Sequence, residues 1–158
     1  MDIRPALKSQ YHAALLTLRK CIEQCPDVLW NDPADGGAGF WRVAYHTLFF
    51  AHFYSHQDRG QLKPWDKHRR GVEHFDSADM IQYSKDECLE YWHVVNGRID
   101  SAVDALDFAA PQCGFPWYKR GTLEHQLVNI RHIQHHGAIL ASRLRTRAGV
   151  AIEWVQKG

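Results

Sequence analysis

One segment of the chain, FWRVAYHTLFFAHFYSHQ over residues 40–57, is apolar on nearly every face of the helix that it would form. A helix without a continuous polar face must be covered on all sides, as happens at the centre of a folded domain. The segment opens directly after a glycine-rich stretch, DGGAG. It therefore predicts a central helix, and we expect the rest of the chain to supply helices that pack around it.

Two further segments carry the spacing of amphipathic helices, with apolar residues recurring in steps of three and four. The first predicted helix of the chain follows Pro5, which suits a first helical turn, and stops at Pro26. The third opens with a capping box formed by Ser84 and Glu87, and it ends before Pro111. The sequence shows almost no pattern typical of β-strands, so the fold class is predicted to be all-α.

The last helix and the connection before the third helix complete the predicted architecture. Thr122 is expected to cap the fourth helix, which continues to about residue 147 and stops at Gly149. A polar segment with Pro and Gly, residues 58–83, is long enough to return along a whole bundle. We therefore predict one domain over residues 1–158, a four-helix bundle of up-down-down-up order with a long crossover between helices 2 and 3.

Composition and charge exclude several classes of function. The net charge of +1, from 19 basic and 18 acidic residues, provides no field for a nucleic acid partner. No window reaches the roughly 18 apolar residues of a membrane span. The start, MDIRPALKSQ, lacks the layout of an export signal, and the four cysteines have no zinc-finger or C-x-x-C spacing. We therefore expect a cytoplasmic protein without a nucleic acid or membrane partner.

Histidine is the unusual residue of this composition, with eleven in the chain and three within five positions in NIRHIQHHGAIL, residues 129–140. Winding the fourth helix at about 100° per residue aligns His125, His132 and His136 inside its apolar sector. His135 falls about 80° away from that line, on the solvent margin. His132 and His136 can therefore direct two ring nitrogens to one point. His125 lies about 10 Å before His132 along the helix axis, where it can line a pocket or support a ligand.

His46 lies between phenylalanines on the predicted second helix and has the most apolar surroundings of any histidine here. A buried imidazole without a hydrogen bond or ligand costs about 1–3 kcal/mol, so His46 needs a partner. If the second and fourth helices are antiparallel, His46, His132 and His136 lie at similar depth. Three converging imidazoles are the ligand set of a divalent metal ion with an open position. The alternative is a set of core histidines hydrogen-bonded to backbone, tyrosine or water.

The segments FWRVAYHTLFFAHFY and TLEHQLVNIRHIQHHGAIL resemble those of the DinB-like metal-binding bundles. The resemblance covers most of the chain, including the order of the four helices and the long second connection. It implies a metal held by one histidine of the second helix and an H-x-x-x-H pair of the fourth, which are His46, His132 and His136 here. The chain departs from many members in having HGAIL where they follow the last ligand with Arg-Gly-Gln. The resemblance also implies a homodimer.

Two classes of function follow from such a site. Proteins that the chain resembles include thiol-dependent transferases and isomerases, and metal-dependent hydrolases. The first hypothesis is therefore a metal-dependent enzyme, a hydrolase or a thiol-dependent S-transferase, acting on a small molecule such as a low-molecular-weight thiol. The second is a non-catalytic, stress-related protein that binds a metal or a small molecule. Three imidazoles accept zinc, nickel or iron, and no residue is identified as a catalytic acid or base.

Aromatic residues near the predicted ligands are candidates for the walls of a substrate pocket. By position these are Phe50, Phe53, Trp92 and the FPWYKR loop, residues 115–120, before the fourth helix. Plain packing in the core is the alternative for each of them. A haem or di-iron centre is disfavoured because the Glu-x-x-His pairs of di-iron bundles are missing from the second and fourth helices.

Overall fold

The computed structural model describes residues 2–33, 37–76 and 81–158. Residues 34–36 of the DGGAG stretch and 77–80 of the predicted crossover lie outside these ranges. Within them the regular structure is helical, which confirms the all-α class, and no helix is long and apolar enough to cross a membrane. The elements are α1 (Arg4–Gln24), α2 (Asp27–Trp30), α3 (Phe40–Tyr54), a 3₁₀ turn (Arg59–Gln61), α4 (Lys85–Ala105) and α5 (Thr122–Ala148).

None of the 15 residues of α3 is exposed, as its apolar composition predicts. The helix ends at Tyr54, three residues before the predicted end at residue 57. In a continuing helix the carbonyl of His52 would accept from the backbone of His56. Instead it accepts from the hydroxyl of Ser55 at 2.7 Å and from the ring Nδ1 of His56 at 3.0 Å. These side-chain donors replace the helical hydrogen bond, and α3 stops there.

Helix α1 packs against α4 and α5, and α3 packs against the same two helices. Buried polar groups tie these pairs together. The indole of Trp92 in α4 donates to the carbonyl of Leu15 in α1 at 2.7 Å, and the hydroxyl of Tyr11 donates to the side-chain oxygen of Gln126 at 2.6 Å. The amide of Asn129 donates to a backbone carbonyl of α3 at 3.1 Å. Because buried polar groups need partners, these bonds restrict how the helices can slide.

The connection between α3 and α4 packs against the helices along part of its length. Its side chains Trp65, Val72 and Tyr83 are buried in the core. The ring of Trp65 stacks on Tyr91 of α4 at 4.7 Å, and Tyr83 stacks on Tyr45 of α3 at 4.2 Å. Because the segment is polar overall, the sequence alone does not indicate that these three residues are buried. The connection therefore covers part of α3, together with α4.

Helix starts follow the sequence in one case and depart from it in another. The capping box at Ser84 and Glu87 is confirmed, because each side chain accepts from the other residue's backbone N–H, at 3.1 and 2.7 Å. The predicted cap at Thr122 is wrong, since Gly121 is the cap and Thr122 is the first residue of α5. Thr122 is buried, and its hydroxyl accepts from the side chain of Gln57 at 3.1 Å. The hydroxyl of Thr122 is thus engaged in a hydrogen bond to a distant residue and does not cap the helix.

Gly149 ends α5 in the left-handed conformation with φ of 68°, as the sequence predicts. The tail, residues 150–158, then returns to α1 of the same chain. The backbone N–H of Gly158 donates to the carbonyl of Ser9 at 3.2 Å. The sequence left open whether this tail docks on the bundle or on another subunit, and the structure places it on the bundle.

Gly114 and Gly97 offer a matched pair of substitutions that test the packing of the loop before α5. A Cβ at Gly114 would lie 2.1 Å from the Cβ and 2.8 Å from the Cα of Asp58, whereas a Cβ at Gly97 in α4 would meet no atom within 4 Å. Gly114→Ala should lower the free energy of unfolding by about 1–3 kcal/mol. Gly97→Ala should raise it by about 0.5–1 kcal/mol, because alanine favours a helix interior.

Urea denaturation of both variants and the wild type measures these changes. Equal effects of the two alanines, or a stable Gly114→Ala protein, would contradict the close approach of the loop to the end of α3.

Candidate metal centre

The three histidines selected from the sequence come together where α3 meets α5. One ring nitrogen of each of His46, His132 and His136 lies within 4.8 Å of the other two. The Nε2 atoms of His46 and His132 are 3.2 Å apart. The ring centroid of His136 lies 4.7 Å from that of His46 and 4.5 Å from that of His132. Three histidines from two helices can therefore hold one metal ion.

The spacing of the nitrogens can be compared with what a metal ion requires. Metal–nitrogen bonds of about 2.0–2.1 Å in a tetrahedral site place the ligand nitrogens about 3.3 Å apart. The pair formed by His46 and His132, at 3.2 Å, already has this spacing. Because no pair exceeds 4.8 Å, the third ring needs to close by at most about 1.5 Å. A change of that size is within reach of side-chain rotation.

The ring of His46 is held in one orientation by the connection between α3 and α4. Its Nδ1–H donates to the backbone carbonyl of Glu73 at 2.6 Å, and the ring of Phe75 stacks on it at 4.2 Å. A proton on Nδ1 leaves the lone pair on Nε2, which faces His132. Metal-binding histidines commonly donate their second nitrogen to a carbonyl in this way. Sequence reasoning missed Glu73 and Phe75, because a connection without periodicity does not show which residues turn inward.

His132 and His136 lack the hydrogen bonds of ordinary core histidines. The Nδ1 atom of each is buried and has no hydrogen-bond partner among the described residues. By contrast, the Nδ1 of the buried His52 lies 3.1 Å from the hydroxyl of Tyr91. Leaving a buried polar group unpaired costs about 1–3 kcal/mol. The Nδ1 of His125, outside the cluster, is unpaired in the same way. The interpretation as a hydrogen-bonded core residue therefore fits His52. His132 and His136 differ from His125 in that their ring nitrogens converge with that of His46.

Burial keeps the three rings neutral at neutral pH. Burial, together with a smaller effect of the neighbouring histidines, lowers the pKa of His132 to about 4 and that of His136 to about 3. Burial also lowers the pKa of His46, against a smaller opposing effect of its hydrogen bond to Glu73. Metal ions bind the neutral imidazole, so protons do not compete for these nitrogens near pH 7.

The other two histidines of α5 lie apart from this cluster. His135 is exposed, as its position on the helix predicts. His125 is buried, with its ring centroid 4.5 Å from that of Phe115 and 5.1 Å from that of Tyr54. Tyr54 in turn lies 6.4 Å from His132, so one aromatic ring separates His125 from the three histidines. His125 thus belongs to the surroundings of the cluster.

The predicted pocket walls are only partly where the sequence placed them. Phe50 lies beside the cluster, 4.7 Å from the ring of His46. Phe53 contacts Phe115 of the FPWYKR loop at 5.1 Å, so this loop does approach α3. Trp92 instead lies between α4 and α1, where its indole is bonded to a carbonyl of α1. Trp92 is buried on α4 as its spacing predicts, but it faces α1 and not the histidines. Residue spacing along one helix does not show which neighbouring helix a buried residue faces.

A surface opening reaches the cluster at one of its histidines. His132 lines a cavity of about 280 Å³ together with Val128, Arg131 and His135. The Phe50 and Phe75 rings lie against His46 on another side. The arrangement combines three converging nitrogens with an aromatic cover and a surface cavity beside His132.

Comparisons with known proteins find no counterpart of this chain: no family model, no curated protein and no solved structure matches it. The resemblance to the DinB-like bundles therefore stays an interpretation of the sequence. The chemistry of the site has to be argued from its own residues.

Metal binding can be tested with protein that carries no histidine tag. Elemental analysis after incubation with zinc, nickel or iron and removal of free metal should return about one divalent ion per chain. His132→Ala should lose the ion, because it removes one of the two nitrogens that already have ligand spacing. His135→Ala, which changes the exposed neighbouring histidine, is the matched control and should keep it. Wild-type protein that stays metal-free would contradict the site, as would equal loading of His132→Ala.

The buried histidines also predict how stability depends on pH. Burial lowers the pKa of His125 to about 4, whereas in the unfolded chain it is about 6.5. Below pH ~6.5 His125 is protonated in the unfolded chain but stays neutral in the folded protein. The free energy of unfolding therefore falls as the pH falls towards 4. Between pH 7 and 5 this group accounts for a loss of about 2 kcal/mol.

His125→Phe should reduce that pH-dependent loss by the same amount, whatever it does to stability at pH 7. Urea denaturation at pH 7 and pH 5 measures the difference, and His93→Gln, at an exposed position of α4, is the control. If His125→Phe and the wild type lose the same free energy between the two pH values, His125 does not titrate as its burial predicts.

Proposed function

We propose that this protein is a metal-dependent enzyme, a hydrolase or a thiol-dependent S-transferase, that acts on a small molecule with a divalent ion held by His46, His132 and His136. The observation that carries the proposal is the pair of Nε2 atoms of His46 and His132, 3.2 Å apart. The other nitrogen of His46 is already engaged by the carbonyl of Glu73. That bond fixes a lone pair towards the partner histidine before any ion arrives.

The number of ligands favours an exchangeable site over a structural one. Structural zinc sites are closed by four protein ligands, whereas catalytic sites have three and keep a position for water or substrate. When bound, such an ion supplies Lewis acidity, which lowers the pKa of water to about 7 and deprotonates a thiol. The protein's part is to orient the three rings and to shield them. Phe50 and Phe75 do so against the ring of His46.

Zinc, nickel and iron are all candidates for the ion, because neutral imidazole nitrogen is a good ligand for each of them. Low-molecular-weight thiols are the proposed co-substrates of the transferase version of the reaction. The four cysteines of the chain are free and buried, which is consistent with a reducing compartment such as the cytoplasm.

We further propose that the long helices form an up-down-down-up bundle of the DinB-like kind, with the connection between α3 and α4 as its crossover. In antiparallel helices the contacting residue numbers rise on one helix and fall on the other, whereas in parallel helices they rise together. Two pairs support antiparallel packing of α3 and α5, His46 with His136 and Tyr54 with His125.

The other two pairs of helices follow from the same comparison. Tyr45 with Tyr91, and His56 just after α3 with Arg98, support parallel packing of α3 and α4. Lys8 with Asp104, and Cys25 directly after α1 with Lys85, support antiparallel packing of α1 and α4.

A homodimer is the assembly that this proposal includes. An apolar groove of about 510 Å³ runs between α1 and α5 and is lined in part by Leu123 and Leu127. Both leucines are exposed, at 38% and 48%. A second copy of the chain is an occupant that can cover these side chains.

A non-catalytic metal-binding or small-molecule-binding protein is the second candidate function. The observation in its favour is the aromatic cover of the cluster. Phe75 stacks on His46 at 4.2 Å and also contacts the ring of His136 at 5.9 Å. A covered ion that exchanges ligands slowly suits storage or sensing better than turnover.

Catalysis can be tested with metal-loaded wild-type protein and a panel of thiols combined with electrophiles, together with ester and amide substrates. Turnover should depend on the metal, stop on chelation, and be absent in His132→Ala. His135→Ala should retain it, because this exposed histidine lies outside the ligand set. If metal-loaded protein binds a ligand but turns over no substrate, the second candidate function, a non-catalytic binding protein, is favoured. The proposed metal site would not be contradicted by that result.

A further inference from the structure

Arg98 of α4 is a half-buried cation that has no carboxylate partner among residues 2–33, 37–76 and 81–158. Its Nη1 donates to the hydroxyl of Ser55 at 2.9 Å and to the carbonyl of His52 at 3.4 Å, and its Nη2 donates to the Nε2 of His56 at 2.9 Å. All three acceptors are neutral groups at the end of α3. Among the described residues no acidic side chain forms an ion pair with this guanidinium.

The histidines beside Arg98 do not offset its charge. Burial lowers the pKa of His52 to about 3, and the positive charge of Arg98 contributes to this shift. The pKa of His56 is lowered for the same two reasons, in the same order. His56 is left with a proton on Nδ1, which donates to the carbonyl of His52, so that its Nε2 can accept from Arg98. The local charge is therefore that of the guanidinium.

Two cavities adjoin at Arg98. One has a volume of about 610 Å³ and the other about 260 Å³, and they share His56, Gln61 and Arg98 in their linings. The larger volume lies within the range of about 300–1,000 Å³ that is usual for sites of small organic ligands. Neither cavity is lined by a histidine of the candidate metal centre.

The walls of the larger cavity combine apolar surface with charge. Trp65, Pro64 and Val94 supply the apolar surface, and Lys63 adds a second cation. Asp66 is the one acidic side chain among the described residues of this lining, and it accepts from the backbone N–H of its neighbour Lys67 at 3.1 Å. Lys63 and Asp66 are both exposed, whereas Arg98 is half-buried, so the least exposed charge of the lining is positive.

Arg98 has donors to spare. A guanidinium carries five N–H groups in a planar fork, and the three hydrogen bonds that it makes engage only Nη1 and Nη2. The Nε–H and one hydrogen of Nη2 remain for a ligand. A fork of this geometry matches carboxylate and phosphate oxygens. Partial burial of a cation without a counter-ion is unfavourable, so binding of an anion at this position is favoured.

We propose that the two adjoining cavities bind a small organic anion, whose carboxylate or phosphate group accepts hydrogen bonds from Arg98 and whose apolar body lies against Trp65 and Val94. This site is separate from the metal centre and does not depend on the proposed enzyme activity. The competing role of Arg98 is to stabilise the C-terminal end of α3, where a cation also favours the helix dipole. That role explains the bond to the carbonyl of His52, but it requires neither the cavities nor the unused donors.

The test is a titration of the whole protein followed by NMR at the Nε–H of Arg98. The probes are benzoate, phenyl phosphate, inorganic phosphate and the neutral benzamide. Benzoate or phenyl phosphate should shift this resonance saturably, with Kd below about 1 mM, and the stronger of the two identifies the preferred head group. Benzamide should bind about 10–100-fold more weakly, because it lacks the charge. Inorganic phosphate should also be weaker, because it has no apolar body.

Variants separate binding from support of α3. Because Arg98→Gln and Arg98→Lys lack the Nε–H, the titrations of the wild type and of all variants are also followed at the indole N–H of Trp65 in the cavity lining. Arg98→Gln should weaken binding of the preferred anion by about 10–100-fold, whereas Arg145→Gln, which removes an exposed charge outside both linings, should not. Arg98→Lys retains the charge without the fork and should bind with intermediate affinity, which keeps the test open if Arg98→Gln unfolds. His132→Ala should bind the anion like the wild type.

A wild-type resonance that no anion shifts would overturn the proposal. So would equal affinity in Arg98→Gln or in Arg98→Lys, and Arg98 would then serve only to end α3.

Discussion

The burial of α3, whose residues are all buried or half-buried, is the constraint on which both candidate sites depend. An apolar helix at the centre of the fold needs cover from α4, α5 and the connection between α3 and α4. Each polar side chain on it must then find its partner inside that cover. His46 finds the carbonyl of Glu73 and a histidine of α5, and His52 finds the hydroxyl of Tyr91 in α4. The contact of α3 with α5 and its contact with α4 therefore hold chemically different groups.

The spacing of residues along α3 explains why these sites do not merge. Six positions separate His46 from His52, which amounts to about 240° of helical rotation. The first histidine consequently faces α5 and the second faces α4. On the α5 side the partners are neutral imidazoles that can bind a cation. On the α4 side the ring of His52 meets the hydroxyl of Tyr91, and its backbone carbonyl accepts from Arg98, the guanidinium proposed to bind an anion.

Periodicity within single helices made much of this predictable. The separation of four residues places His132 and His136 on one face whatever surrounds them, and depth along the helices brings His46 to the same level. Local motifs were equally reliable where nothing competes with them, as at Ser84 with its capping box and at Gly149 with its left-handed backbone. These features depend on a few neighbouring residues, so one sequence is enough to recognise them.

Features that depend on contacts between distant segments could not be obtained in this way. The hydroxyl of Thr122 was expected to cap α5, but it accepts from Gln57, and no local pattern shows that the two meet. Glu73 and Phe75 hold the ring of His46 from a connection that has no helical period. Trp92 has the right spacing for a buried residue, yet burial against α1 and burial beside the histidines look alike in one helix.

The candidate metal centre also illustrates how function and stability oppose each other in this fold. A stable core would give every buried imidazole nitrogen a partner, as His52 has. The buried Nδ1 atoms of His132 and His136 have none among the described residues, at a cost of about 1–3 kcal/mol for each unpaired group. An ion that binds only the folded chain stabilises it by an amount that grows with the ion concentration. In the proposed function the binding free energy of such an ion would offset this cost, although the nitrogen of His132 that faces His46 is Nε2 and its Nδ1 would stay unpaired. The convergence of the three rings is therefore the feature that coordination would explain and that packing of single histidines does not.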